Sequence, residues 1–446
     1  MTAVEGTLME DNGVFKTRLD NGLKVLIKEM HHAPVASWWV WYKVGSRNER
    51  PGVTGISHWV EHMQFKGTPR YPSQVLDKLI SRVGGMWNAM TFMDWTTYYE
   101  TMPAGQIELG LDLEADRMLN STFDPDEVAS ERTVIISERQ GSENSPSWLL
   151  YEELIAAAFR VHPYRKTVVG DQIDLEAMTR DDLYNHYRAY YVPNNATAVL
   201  VGDVDTQAML ARIAELYGSI PPGSPPPPVH FVEPPQHGER RVEVRREGTT
   251  AYIQTAYHAP GIGDPDFFPL AILDTILAGA SSFNFFSTAD TSNKTSRLYR
   301  ALVDTELAAS VDAGLITTLD PYLYTFSATV RAGRTCEEVQ TTLDNELARA
   351  TAGDISEREF EKARKQTKAI FAYDSESVSS QGLWLGLAET LVDDYVWFET
   401  FLDKLMAVTL DDVRRVAAEV LQPTRRTVGW YIPTGEASGN EQEGMV

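Results

Sequence analysis

Apolar and polar positions alternate on both sides of Leu19-Asp20-Asn21-Gly22-Leu23, which predicts a β-hairpin closed by a two-residue turn. The run from Ala36 to Val44 holds Trp38, Trp39, Trp41 and Tyr42, an aromatic density that suits a central strand. Helical periodicity follows over 54–66, 73–83, 105–119 and 125–140. The last of these has a well-marked start, with Asp124 at the cap, Pro125 in the first turn and Glu127 at the third position. Further along, strands are expected near 240–258 and helices near 266–279 and 295–304. A strand pair near 308–331 and helices from 336 onward complete the pattern.

Between these two stretches the chain reads IPPGSPPPPVHFVEPP over 220–235. Stacked prolines cannot continue a helix or a central strand, so this is an interdomain linker. The flanking halves repeat one another. Thr179 precedes Asp181 and Asp182, and Pro193 follows; Thr409 precedes Asp411 and Asp412, and Pro423 follows at the same distance. Each Thr is placed to cap a helix whose first turn is acidic, where the helix dipole favours negative charge. Each unit leads into an apolar strand, 196–201 and 427–432. The expectation is an α+β fold of two homologous halves, 1–219 and 237–446, joined by linker 220–236. Each half should be a mostly antiparallel sheet covered by helices on one face.

Composition narrows the function. A formal charge of −23 over 446 residues argues against a nucleic-acid partner, because phosphate binding needs a basic face. The single cysteine, Cys336, excludes an intrachain disulfide and a cysteine-based zinc site. No apolar run is long enough to span a membrane. The first fifteen residues carry Glu5, Glu10 and Asp11 without an apolar core, so no signal peptide is evident and a cytoplasmic, reducing setting is expected.

The chemistry concentrates in His58-Trp59-Val60-Glu61-His62. On a helix, His58 and His62 stand one turn apart on a shared face, and Glu61 projects beside the same pocket. Two imidazoles so held suit a metal ion with an open position for water. Thr54 is a candidate cap for this helix, and Gly67 a candidate left-handed stop. The third ligand is sought on 125–140, where Glu131 and Glu138 lie two turns apart; spacing alone leaves Glu127, Glu131 and Glu138 open.

The sequence resembles the insulinase and pitrilysin family of inverted-motif zinc peptidases. The likeness includes Gly45-Ser46-Arg47-Asn48-Glu49 before the motif and Met63-Gln64-Phe65-Lys66-Gly67-Thr68 after it. It extends through Gly84–Thr91 and Glu131–Glu138, and over nearly the whole chain. The half-length form resembles the branch of mitochondrial processing peptidase subunits and their bacterial relatives. The resemblance implies one Zn2+ per chain held by His58, His62 and Glu138, with Glu61 as general base and Glu131 supporting the ligands. Asn88 and Ala89 would lie on an edge strand to which a substrate peptide adds.

One departure stands out. The family's full-activity members carry an Arg and a Tyr after a Ser-Arg-Leu motif in the second half. Here Ser296-Arg297-Leu298-Tyr299 is present, but those two positions fall near Leu302 and on Ala309. Arg297 or Arg300, with Tyr322 or Tyr324, are conceivable substitutes. A homologous partner subunit supplying both groups in a heterodimer is expected, with a homodimer as the other option. A structural core subunit and a zinc hydrolase of some other bond are the competing functions. His162-Pro163-Tyr164-Arg165 and Gly170 match a family loop without an evident chemical role.

Overall fold

The computed structural model describes residues 9–11, 13–281 and 293–435. Two sheets organise them. The first contains β1 (Met9–Asp11), β2 (Val14–Arg18), β3 (Lys24–Glu29), β4 (Val35–Tyr42), β5 (Met86–Thr91), β6 (Thr96–Pro103) and β7 (Ala196–Gly202). Its spatial order is β1-β2-β3-β7-β4-β6-β5. The second contains β8 (Arg240–Arg246), β9 (Tyr252–Ala259), β10 (Ala308–Leu315), β11 (Tyr322–Val330) and β12 (Arg426–Pro433). Read from β8, its order is β8-β12-β9-β11-β10, the same path as β3-β7-β4-β6-β5. In each sheet one pair is parallel, β3 with β7 and β8 with β12, and the rest are antiparallel. The repeat seen in the capping pattern is thus a repeat of topology, with the hairpin β1–β2 added to the first copy.

Helices of the first half are α1 (Ile56–Met63), α2 (Ser73–Arg82), α3 (Glu108–Asn120), α4 (Pro125–Glu143) and α5 (Pro146–Ala158). They continue with α6 (Gln172–Ala177), α7 (Arg180–Tyr190) and α8 (Thr206–Tyr217). The second half has α9 (Phe267–Leu277), α10 (Cys336–Thr351), α11 (Glu357–Asp374) and α12 (Val378–Leu391). It ends with α13 (Val396–Glu399), α14 (Phe401–Ala407) and α15 (Leu410–Val420). Thr179 and Thr409 both form full capping boxes, with Asp182 and Asp412. Instead of a regular helix over 295–304, a π-helical turn occupies Tyr299–Val303.

The hairpin differs from its expected form. Leu19 and Leu23 pair, leaving Asp20, Asn21 and Gly22 as a three-residue loop with Gly22 at φ +92°. Asn21 turns inward and donates to the carbonyls of Tyr217 and Ile220 at 2.7 and 3.0 Å. Docking to the end of α8, rather than local turn chemistry, selects the longer loop.

The alternation in β4 has two destinations. Trp38 and Val40 pack among the first half's own helices, while Trp39 and Trp41 join the core of the second half. There α12 lies across β4 and β7. Gly382 and Gly386 make this approach possible: a Cβ at either would meet the Trp39 or Trp41 indole at 2.4 or 1.9 Å. Lys16 and Lys24 pair with buried Glu389 of α12 at 2.7 and 2.8 Å. In return, α5 of the first half packs on β8, β9 and β12. Each sheet therefore carries its own helices on one face and a helix from the opposite half on the other. Residues 221–237 have neither helix nor strand. Glu233 anchors this stretch by accepting the N–H groups of Arg160, Val161 and His162 at 2.7–3.1 Å. Among the described residues no helix is long and apolar enough to cross a membrane.

Candidate metal centre

Helix α1 starts without a side-chain cap of its own. Gly55 occupies the cap position at φ +87°, and Glu49 from the preceding turn takes the Gly55 and Ser57 N–H groups at 2.8 and 2.9 Å. Thr54 is not the cap that its position suggested. Its hydroxyl donates to Asp174 at 2.7 Å and accepts from the Asp171 N–H at 2.9 Å, fastening the segment to the first turn of α6 and the loop before it. Burial pushes the Glu49 carboxyl up to about 7 despite its two backbone donors. The same loop brings Gly170 against Thr54, where a Cβ would lie 2.2 Å from the Thr54 carbonyl oxygen. Arg139, next to Glu138 on α4, donates to the Gly170 carbonyl at 2.6 Å. At the other end, Gly67 stops the helix at φ +92°, with ψ extended at 176° rather than left-handed helical.

On α1 the two histidines face each other, His58 Nε2 lying 3.2 Å from His62 Nε2. Glu138 Oε2 lies 3.7 Å from His62 Nε2 and 3.9 Å from His58 Nε2. Ligand atoms bound about 2.0–2.1 Å from one zinc ion at tetrahedral angles stand roughly 3.3 Å apart, so this donor set fits such an ion. Among the described residues no other group of three His, Cys, Asp or Glu side chains converges closely enough to hold a metal.

The choice left open on α4 is decided by where that helix crosses α1. Glu131 Oε1 sits 2.8 Å from His62 Nδ1, on the far side of the ring from Glu138. The imidazole N–H donates to this carboxylate, which leaves Nε2 as the acceptor facing His58 and Glu138. The second Glu131 oxygen pairs with the Lys66 ammonium, and Glu127 reaches only the edge of that ammonium at 4.0 Å. Burial, and then neighbouring His62, push the His58 imidazole down to about 3. Burial is the strongest single influence on His62 and opposes its charge, yet the bond to Glu131 together with the charges of Glu61, Glu138 and Glu131 raises that ring's proton affinity. For Glu131 the cost of burial is overcome by His62 and Lys66, which hold the carboxyl below its usual range.

Glu61 is buried (8% exposed) and accepts the Thr91 hydroxyl at 2.7 Å. Burial raises its pKa, with the Thr91 bond opposing. Thr91 ends β5, which among the described residues is an edge strand paired with β6 alone. Asn88 and Ala89 lie opposite Tyr99 and Tyr98 on that strand, and the Asn88 side chain accepts the Ala89 N–H at 2.9 Å.

Glu49, Lys66, Thr91 and Arg139 were given no individual role by the sequence: Thr91, Lys66 and Arg139 act through partners remote along the chain, and Glu49 caps α1 from a turn outside the helix, where no capping pattern marks it. Three of the four conceivable substitutes for the missing Arg and Tyr are engaged elsewhere, and the fourth, Arg300, lines a cavity of the second half beside Arg297 and Lys362. Arg297 is held by Glu359 at 2.6 and 2.8 Å, and the Tyr322 hydroxyl meets Tyr151 at 2.5 Å. Tyr324 and Leu302 are core residues. The loop at 162–165 does have a role: it joins the two halves. Tyr164 donates to Asp94 at 2.6 Å, while His162 and Arg47 reach Asp320 at 3.0 and 2.6 Å.

Residues 24–172 match the model described as insulinase (peptidase family M16), and residues 177–367 match the peptidase M16 inactive domain. Zinc protease PqqE of Helicobacter pylori is 29% identical over 423 residues, 93% of this chain and 92% of that protein. The mitochondrial-processing peptidase subunit beta of Lentinula edodes is 26% identical, over 90% of this chain and 86% of that one. A protease from Helicobacter pylori of known crystal structure superimposes with a TM-score of 0.88 at 28% identity, covering 96% of this chain and 100% of that one. With both halves matched in order and the inverted motif inside the first, the chain belongs to the insulinase family, peptidase family M16.

Proposed function

We propose that this protein is a zinc metalloendopeptidase that hydrolyses peptides or unfolded segments, with its first half (1–219) carrying the metal and its second half (237–446) completing an enclosing chamber. The observation that carries this reading is the convergence of His58, His62 and Glu138 within 3.2–3.9 Å, beside buried Glu61. Zinc, when bound by those three side chains, would lower the pKa of a water to about 7 and polarise the scissile carbonyl. Glu61 accepts the proton of the attacking water and returns it to the leaving amine. Thr91 keeps the Glu61 carboxylate aimed, and burial lifts its proton affinity towards that task. Glu131 fixes the orientation and tautomer of His62, and Lys66 neutralises Glu131. A peptide lies along β5, pairing its main chain with the free edge at Asn88 and Ala89 as the Asn88 side chain gives way. Its oxyanion requires further donors, and the engaged state of Arg297, Tyr322 and Tyr324 favours a homologous partner subunit that supplies an Arg and a Tyr.

The test is metal analysis and hydrolysis of a quenched fluorescent peptide by the purified chain, with and without a homologous subunit carrying that Arg and Tyr. About one zinc per chain is expected, lost in His62→Ala, with hydrolysis stimulated by the partner and abolished by a chelator. A chain with little zinc and no hydrolysis would instead be a non-catalytic core subunit, and cleavage unchanged in His62→Ala would overturn the assignment of the activity to this metal centre.

A further inference from the structure

The metal helix and the edge strand β5 meet at two places. At one, the Thr91 hydroxyl donates to Glu61 at 2.7 Å. At the other, the Phe65 ring, in the turn that follows α1, stands against the Trp87 indole with centroids 4.7 Å apart. Both rings are partly exposed, and the Trp87 N–H donates to Asp77 of α2 at 2.9 Å.

Behind this aromatic pair lies a buried charge cluster that no step of the peptidase reading uses. Arg117 on α3 is buried, and its guanidinium lies 5.3 Å from the Phe65 ring centre, 5.2 Å from Trp87 and 4.8 Å from Tyr98. It pairs with Glu114 one turn earlier on α3 and stands 3.6 Å from Glu100, the β6 residue opposite Trp87. Both carboxyls are buried too. Burial, and then the charge of Glu114, push the Glu100 carboxyl well above its ordinary range, with Arg117 opposing. Arg117 Nε and Nη1 have no hydrogen-bond partner among the described residues, so aromatic rings hold the rest of the guanidinium. The Tyr187 hydroxyl donates to the Arg117 carbonyl at 2.9 Å and fixes the end of α3.

Such a cluster is costly. An apolar core of similar volume is commonly as stable or more so, and fold stability alone gives no reason to bury these three groups. What the cation adds is direction, because a planar guanidinium attracts several rings at once and fixes their mutual placement. Among the described residues β5 has a hydrogen-bonding neighbour on one side only, so side-chain packing carries much of its placement. A peptide bonded at Asn88 and Ala89 reaches the metal centre only if β5 keeps its spacing from α1. A displacement of about 1 Å in such a geometry can cost roughly 10²-fold in rate.

We propose that Arg117, braced by Glu114 and Glu100, is a positioning residue for the substrate strand: through Phe65 and Trp87 it sets the spacing between β5 and the metal helix. The proposal rests on the peptidase reading for the peptide, and on this packing alone for the strand.

Two variants of the full, zinc-loaded chain test it. Arg117→Lys keeps a charge for Glu114 and loses the planar fork. Arg117→Met/Glu114→Gln/Glu100→Gln removes every charge at nearly constant volume, and carries the same readings if Arg117→Lys does not fold. Hydrogen exchange followed by mass spectrometry should quicken about tenfold over 86–91, while 56–63 stays protected as in the parent. Zinc stoichiometry should be unchanged. KM for a quenched fluorescent peptide should rise about fivefold or more with kcat within about twofold, because the contact of Thr91 with Glu61 is untouched. Unchanged exchange over 86–91, or unchanged KM, in a folded variant overturns the proposal. So does loss of zinc, or a fall in kcat at the parent KM, either of which would put the cluster's effect on the metal helix instead. A parent chain that hydrolyses no peptide defeats the peptidase reading and leaves the exchange comparison to decide the placement of β5 by itself.

Discussion

His62 Nδ1 lies 2.8 Å from Glu131 Oε1, which turns the opposite nitrogen of the ring towards His58 and Glu138. Seven residues apart on one helix, Glu131 and Glu138 thereby serve the two sides of a single imidazole. Replacing Glu131 by Gln keeps the shape, removes the charge that Lys66 balances, and weakens the hold on the His62 tautomer. Zinc affinity should fall about 10–100-fold, as such outer carboxylates ordinarily require. Competition against a chelator of known affinity measures this, and saturating zinc should restore much of the hydrolysis. Unaltered affinity would show that Glu131 has no part in orienting the ligand.

Glu61 shares the helix but belongs to no ligand pair. Glu61→Gln should therefore retain zinc at the parent stoichiometry while lowering kcat by roughly 10²–10⁴-fold, the usual worth of a general base. Loss of metal alongside activity would contradict the separation of roles.

Gly170 is a packing requirement of the metal helix. Gly170→Ala places a methyl group 2.2 Å from the Thr54 carbonyl oxygen at a backbone φ of +82°. A cost of at least about 1–3 kcal/mol in urea unfolding is expected from the backbone conformation alone, with weaker zinc retention as the start of α1 shifts. Gly105→Ala, where a Cβ meets nothing within 4 Å, is the control and should change stability by no more than about 0.5 kcal/mol.

Asp274 on α9 gives a pH-dependent signature away from the metal. Burial pushes its carboxyl from 3.8 to about 7, against hydrogen bonds from Tyr324 and Ser281. The folded protein binds this proton more tightly than the unfolded chain. The resulting stabilisation is full below about pH 3.8 and is lost as pH rises through about 7. Asp274→Asn should remove that dependence. The difference in unfolding free energy between variant and parent should move in the variant's favour from pH 4 to pH 8, by on the order of 1 kcal/mol or more. A difference independent of pH would refute the shift.

Period and capping determined much of this protein in advance. The 3.6-residue repeat put His58 and His62 on one face, the strand repeat in 36–44 placed β4 centrally, and Thr179 and Thr409 marked the duplicated unit. These signals are local: each depends on backbone geometry within a few residues, which any environment preserves. The tertiary structure decided what each face meets. Spacing gave Glu131 and Glu138 equal standing, and only the crossing of α4 over α1 sent one to Nδ1 and the other to the Nε2 side. It likewise replaced Thr54 with Glu49 at the helix start, lengthened the Asn21 loop, and exchanged α5 and α12 between the halves. A hydrophobic period records that a face is buried, not which partner buries it, because apolar contact is non-directional and close packing selects the partner.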